Sequence, residues 1–191
     1  MIRAADVAGL PALVRVRGKE RVHIAAALDA GAAGVLVPHV ATAEDVAAVV
    51  DATRFPPEGT RGAGPGRAAG YLRNIAGSIE RARADTVVAI QLETMQAVQN
   101  AAQILAVPGI DLAFVGPGDL SLDVAARKSD AKVDELIDEI LSAADKAGVP
   151  AGIFTTDRAN SVEWLARLCF VIEGSDALLL TTASDQAFAP L

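Results

Sequence analysis

Residues 86–121 read TVVAIQLETMQAVQNAAQILAVPGIDLAFVGPGDLS, and their pattern decides the fold. Two short apolar runs, 86–92 and 112–116, are rich in Val, Ile and Leu and have strand length. Between them, 94–106 has a helical pattern that opens at Thr94 and closes before Pro108–Gly109. Strand, helix and strand in that order make a parallel βαβ unit, whose two strands deliver their C-terminal ends to one face of the sheet. Each run ends in an acidic residue, Glu93 after the first and Asp119 after the second. Two carboxylates are thereby expected side by side.

The same alternation extends in both directions. Further apolar runs occur at 12–16, 34–37, 150–154 and 169–173, and helical patterns at 20–30, 42–53, 129–147, 156–167 and 175–188. Thr42 with Glu44 and Asp45 signals one helix start, and Ser129–Asp130 is read as another. Six strands alternating with helices predict an α/β fold with a parallel sheet. The exception is 54–72, RFPPEGTRGAGPGRAAGYL, too long and too rich in Gly and Pro for an ordinary connection. Its neighbourhood carries Arg54, Arg61, Arg67 and Arg73, read as facing an anion or another subunit.

The length of 191 residues suits a single domain covering 1–191. A 52% hydrophobic content supplies a large core, and the 4% aromatic content leaves it to small aliphatic side chains. The net charge, 17 − 24 = −7, disfavours nucleic acid and anionic membranes as partners. One cysteine, Cys169, precludes an internal disulfide framework and fits a reducing, cytoplasmic setting. No apolar run approaches the roughly 18 residues of a membrane span, and the first residues lack a signal-peptide layout.

Glu93 and Asp119 offer two hard oxygen ligands to a divalent cation such as Mg²⁺ or Mn²⁺, which takes one or two carboxylates and leaves other positions to water and substrate. A 2-oxo acid can fill such positions with a carboxylate oxygen and its keto oxygen. The plainer alternative is two unrelated strand-end carboxylates, with Asp119 as a helix N-cap. Gln91 lies two residues before Glu93 and so shares its face of the strand; inward-facing polar groups are costly unless they serve a site. Arg15, inside LVRV, needs a partner for the same reason, and is preferred over Arg17 because it lies deeper in the run. Gly116-Pro117-Gly118 makes a turn that lets backbone approach a ligand closely. His23 belongs to a helix, and His39, just past a strand end, could face a site but is read first as a satisfied loop residue. Lys19, Lys128, Lys132 and Lys146 all fall outside strands, which favours metal over Schiff-base chemistry.

The segments LDAGAAGVLVPHV (28–40), RFPPEGTRGAG (54–64), IQLET (90–94) and VPGIDLAFVGPGDLS (107–121) resemble the HpcH/HpaI aldolase family. The resemblance implies a (β/α)8 TIM-barrel fold, of which six strands are recognisable here, starting at what looks like the third. By this resemblance the chain looks like a family member lacking its N-terminal quarter, and with it the first two strands and the Asp and His that the family uses as an acid–base pair. It also implies class II aldolase chemistry on a pyruvate-derived 2-oxo acid and an aldehyde, with Mg²⁺, Mn²⁺ or Co²⁺. Glu93 and Asp119 would bind the metal, Arg15 and Gln91 would hold pyruvate or enolate oxygens, and Gly118 and Ser121 would lie near the substrate carboxylate. Asp29 matches a position that is regularly acidic. A homo-oligomer is expected, with Ala183–Phe188 helping subunits pack. An acyl-CoA lyase of the citrate-lyase β type and a truncated, non-catalytic family member are the alternatives.

Overall fold

The computed structural model describes residues 1–188. The chain begins with α1 (Ile2–Val7), β1 (Leu13–Arg15), α2 (Arg21–Asp29), β2 (Gly34–Val37) and α3 (Ala43–Thr53). A 3-10 helix at Arg67–Leu72 and α4 (Ile75–Asp85) lead to β3 (Val87–Leu92). Then come α5 (Met95–Gln99), α6 (Ala101–Leu105), β4 (Leu112–Val115), α7 (Pro117–Ala126) and α8 (Val133–Ala147). The series ends with β5 (Ala151–Thr155), α9 (Arg158–Leu165), β6 (Phe170–Glu173) and α10 (Asp176–Ala187). No helix among the described residues is long and apolar enough to cross a membrane.

The six strands form one parallel sheet in the order β1-β2-β3-β4-β5-β6, with β1 and β6 as its edges. This is the α/β barrel-type fold expected from the sequence, present as a six-stranded arc. Strand alternation divides its side chains between two faces. Val35, Val37, Val88, Ile90, Leu92, Ala113 and Val115 pack outward against Ile24, Leu28, Val46, Val49, Ile104 and Ile140 of the helices. Each such fully buried aliphatic side chain contributes about 1.5–3 kcal/mol, so this layer is the main stabilising term. The inner face carries a smaller apolar cluster, Leu36, Ala89, Leu112 and Phe114, with Phe154, Phe170 and Ile172 against it. Parallel pairing sets Arg15 beside Leu36, and Gln91 beside Phe114. Arg15, Gln91 and Glu93 therefore belong to the inner face.

Several boundaries differ from the sequence reading. The segment 94–106 is two helices, because Asn100 leaves helical geometry and donates its amide to the Ala41 carbonyl at 2.8 Å. Helix α8 starts at Val133, after the expected Ser129–Asp130 start. Helix α4 is an element that the sequence pattern does not announce; Asn74 caps it by accepting from Gly77 N–H at 2.9 Å. The arginines of 54–72 do not form an open anion-facing set. Arg54 binds Asp111 at 3.0 Å and Arg67 pairs with Asp6. Arg61, 6% exposed, lies 4.7 Å from the Phe55 ring centroid and pairs with Asp29 at 3.1 Å. Three of the four are thus matched by carboxylates of their own chain, and Asp29 has a structural partner.

Candidate active site

The C-terminal ends of β1 to β4 carry a connected polar chain. Arg15 Nε donates to Gln91 Oε1 at 3.0 Å, and Gln91 Nε2 donates to Glu93 Oε2 at 2.5 Å. The other Glu93 oxygen, Oε1, accepts the backbone N–H of His39 at 2.8 Å and lies 2.9 Å from His39 Nδ1. Glu93 is 1% exposed. The local sequence explains its seat. Gln91 and Glu93 share the inward parity of β3, and Thr94 starts α5 by accepting from Ala97 N–H, which turns the chain away after Glu93.

Asp119 arrives from β4 by a different route from the one read in sequence. Gly116 is the N-cap of α7, Pro117 is its first residue and Asp119 lies in its first turn. Asp119 is therefore not the cap: Pro at the first helical position shifts the start three residues upstream. Its carboxyl lies near enough to that of Glu93 to influence its proton. Burial, first of all, pushes the Glu93 carboxyl above its ordinary value; the His39 backbone N–H opposes this, and the Asp119 carboxyl adds to it.

Beside this pair opens a cavity of about 660 Å³ lined by Arg15, Gln91, Gly118 and Asp119 on its polar side. Leu36, Phe114, Leu122, Phe154 and Ile172 make its apolar wall. Arg15, Gln91, Gly118 and Asp119 thus share one cavity, and Glu93 lies behind it, bonded to Gln91. Ser121 is exposed on α7 and lies outside the cavity lining, where Leu122 takes part instead. Arg15 is exposed on the edge strand, so what gives it a role is Gln91, not the cost of burial.

Two residues were undervalued in the sequence. His39 contacts Glu93 through both backbone and ring; its place immediately past β2, next to β3 in a parallel sheet, was the available signal. Gly116 is a matter of space: a Cβ there would fall 2.6 Å from Gln91 Nε2 and 3.2 Å from Glu93 Oε2.

Among the described residues no three His, Cys, Asp or Glu side chains cluster as a complete metal cage. The donor set is instead two adjacent carboxylates, one of them buried and bonded to a glutamine and a histidine rather than to a lysine or arginine. That fits a hard divalent cation that keeps positions for water and substrate.

A model of the family described as HpcH/HpaI aldolase/citrate lyase matches residues 1–181. A hydroxypyruvate/pyruvate aldolase of Paraburkholderia phytofirmans is 36% identical over 97% of this chain and 75% of its own length. A 4-hydroxy-2-oxovalerate aldolase of Novosphingobium aromaticivorans is 41% identical over 87% of this chain and 64% of its own. The crystal structure of an aldolase/citrate lyase family protein from Burkholderia cenocepacia superimposes with a TM-score of 0.86 at 34% identity, over 97% of this chain and 76% of that one.

Proposed function

The chain belongs to the HpcH/HpaI aldolase/citrate lyase family, and on that premise we propose that it is a metal-dependent aldolase. The reaction is the reversible cleavage of a 4-hydroxy-2-oxo acid to pyruvate and an aldehyde. The observation that carries this reading is that Asp119, the carboxyl neighbour of buried Glu93, lines one cavity together with the hydrogen-bonded Arg15 and Gln91. The aldolase names of the relatives support it.

Glu93 and Asp119 would hold the ion, which supplies Lewis acidity toward the 2-oxo group when bound. Arg15 uses Nε for Gln91 and has its Nη groups left for a substrate oxygen. Its positive charge is placed to favour the negative charge that develops as the C3–C4 bond breaks. Gln91 holds Arg15 and Glu93 in a fixed relation, so neither must reorganise during the reaction. Gly118 has open space around its Cβ direction, and its backbone at the start of α7 receives the substrate carboxylate; Ser121 follows in the same helix. Phe114, Phe154 and Ile172 exclude water from the reacting carbons. Homo-oligomeric assembly is part of the proposal, supported by α10, which has no buried residue and exposes Leu179 and Leu180.

The test is pyruvate release, coupled to lactate dehydrogenase, from a series of 4-hydroxy-2-oxo acids, beside acetyl-CoA and glyoxylate release from malyl-CoA, with Mg²⁺, Mn²⁺ or Co²⁺. Pyruvate should appear only with metal and vanish in Glu93→Gln and Asp119→Asn. Cleavage of malyl-CoA without cleavage of any 4-hydroxy-2-oxo acid would replace the proposal with the acyl-CoA lyase reading.

A further inference from the structure

We propose that His39 is a positioning residue of the ion site, its imidazole fixing the Glu93 carboxylate; this rests on the reading that Glu93 and Asp119 hold a divalent ion. Strand β2 ends at Val37, Pro38 stops the ladder, and His39 follows with φ +60°. That left-handed conformation is uncommon for a residue with a side chain, though histidine adopts it more readily than most. Val37 pairs with Ile90, so the chain just past β2 runs beside the end of β3. The turn at His39 brings two nitrogens to one atom, Glu93 Oε1, the backbone N–H donating at 2.8 Å and Nδ1 lying 2.9 Å away.

A carboxylate offers about four acceptor positions, two on each oxygen. The His39 backbone N–H takes one on Oε1, with Nδ1 set against the same oxygen, and Gln91 takes one on Oε2 at 2.5 Å. Oε2, the oxygen 3.2 Å from the Cβ direction of Gly116, is left the freer of the two. The carboxylate is consequently held by two hydrogen bonds and the close imidazole nitrogen, and a side chain that is 1% exposed cannot rotate without losing them. The ring of His39 is itself 62% exposed. An exposed imidazole ordered onto a buried carboxylate is what a side-chain clamp requires. Nδ1–H is available in one neutral tautomer as well as in the imidazolium, so the role does not require a charged ring. Partners of this kind, one bond removed from the ion, commonly control metal affinity.

The experiment is Mn²⁺ titration, followed by the EPR signal of free Mn²⁺, on the wild type and on His39→Gly, His39→Asn, Glu93→Gln and Asp119→Asn. Gly and Asn both accept φ +60° and keep the backbone N–H, and the Asn amide replaces the Nδ1–H donor. His39→Gly should weaken Mn²⁺ binding about tenfold or more, and His39→Asn should restore most of the loss. Mn²⁺ binding by His39→Gly equal to the wild type would overturn the inference, leaving the backbone N–H as the whole interaction. Binding as weak in His39→Asn as in His39→Gly, with ¹⁴N couplings to bound Mn²⁺ in the wild type, would also overturn it, making the ring a direct ligand. Unchanged binding in Glu93→Gln and Asp119→Asn would instead reject the ion site itself. Long-range ¹H–¹⁵N spectra of the wild-type imidazole need no variant: a proton on Nδ1 in the neutral ring supports the clamp, and its absence sinks it.

Discussion

A Cβ on Gly116 would stand 2.6 Å from Nε2 of Gln91, closer than real Cβ atoms come to a neighbour. The same Cβ would lie 3.1 Å from the Glu93 Cβ and 3.2 Å from its Oε2. Gly116 has φ −105°, so the restriction is one of room and not of backbone conformation. In Gly116→Ala the Gln91 amide must move, and with it the bonds to Glu93 and Arg15. The expected outcome is a loss of about 10²-fold in kcat/KM, the scale on which small misplacements act. Circular dichroism should stay native, with a stability loss of about 1–3 kcal/mol from overpacking. Full activity in Gly116→Ala would show that the Arg15–Gln91–Glu93 chain is not needed in its observed geometry.

Arg15 should separate activity from stability. It is an exposed residue of an edge strand with one observed side-chain bond, from Nε to Gln91. Arg15→Ala is expected to change unfolding free energy by about 1 kcal/mol or less, the net worth of one hydrogen bond. It should lower kcat by about 10²–10³-fold, as removal of a donor to developing negative charge does, with Mn²⁺ affinity nearly kept. Arg15→Lys should recover little, because lysine has no Nε to hold Gln91 while presenting further donors. Urea melts, single-turnover rates and Mn²⁺ titration of the three proteins decide it; equal losses of stability and rate would make Arg15 structural.

What the sequence made legible follows from burial on both faces of the sheet. Strands covered on both sides are continuous apolar runs, so GVLV at 34–37 coincides with β2 and LAFVG differs from β4 by one residue. The polar side chains at the end of β3 stood out for the same reason, since Gln91 interrupts such a run and Glu93 ends it. Other features depend on tertiary contacts that no local pattern carries. The break at Asn100 exists because Ala41 offers a carbonyl. Helix α4 has a mixed, polar composition and only Asn74 to announce it beside a Gly- and Arg-rich stretch. The part played by His39 needs a positive φ, and the Asp29–Arg61 pair joins elements 32 residues apart.

Glu93 gives metal-free stability a definite pH dependence. Burial raises its folded-state pKa above the ordinary 4.5, so the folded protein holds this proton more tightly than the unfolded chain. Stability is then full below the unfolded value and falls as pH rises through the folded one. With metal removed by EDTA, urea unfolding should show this decline on the alkaline side of 4.5, and Glu93→Gln should flatten it and be the more stable protein at neutral pH. Added Mg²⁺ should restore the wild type at neutral pH and leave Glu93→Gln unchanged. Parallel pH curves for the two proteins without metal would contradict the assigned burial cost.

Helix α10 should matter to association and not to folding of the single chain. Its start is well defined, with Ser175 accepting from Leu178 N–H at 3.1 Å, yet none of its residues is buried. Leu179 is 59% exposed, Leu180 73% and Phe188 84%. An amphipathic helix normally owes its stability to the face it buries, so here the covering surface must come from elsewhere, and a second copy is the proposed source. In Leu180→Asp the charge cannot be buried in such a contact without a large cost. Light scattering behind size exclusion should therefore show a smaller species for Leu180→Asp than for the wild type at the same concentration. Intrinsic stability at the lowest concentrations should change by only about 0.5 kcal/mol, as for a solvent-facing substitution. Identical masses for the two proteins over a hundredfold range of concentration would remove α10 from the interface.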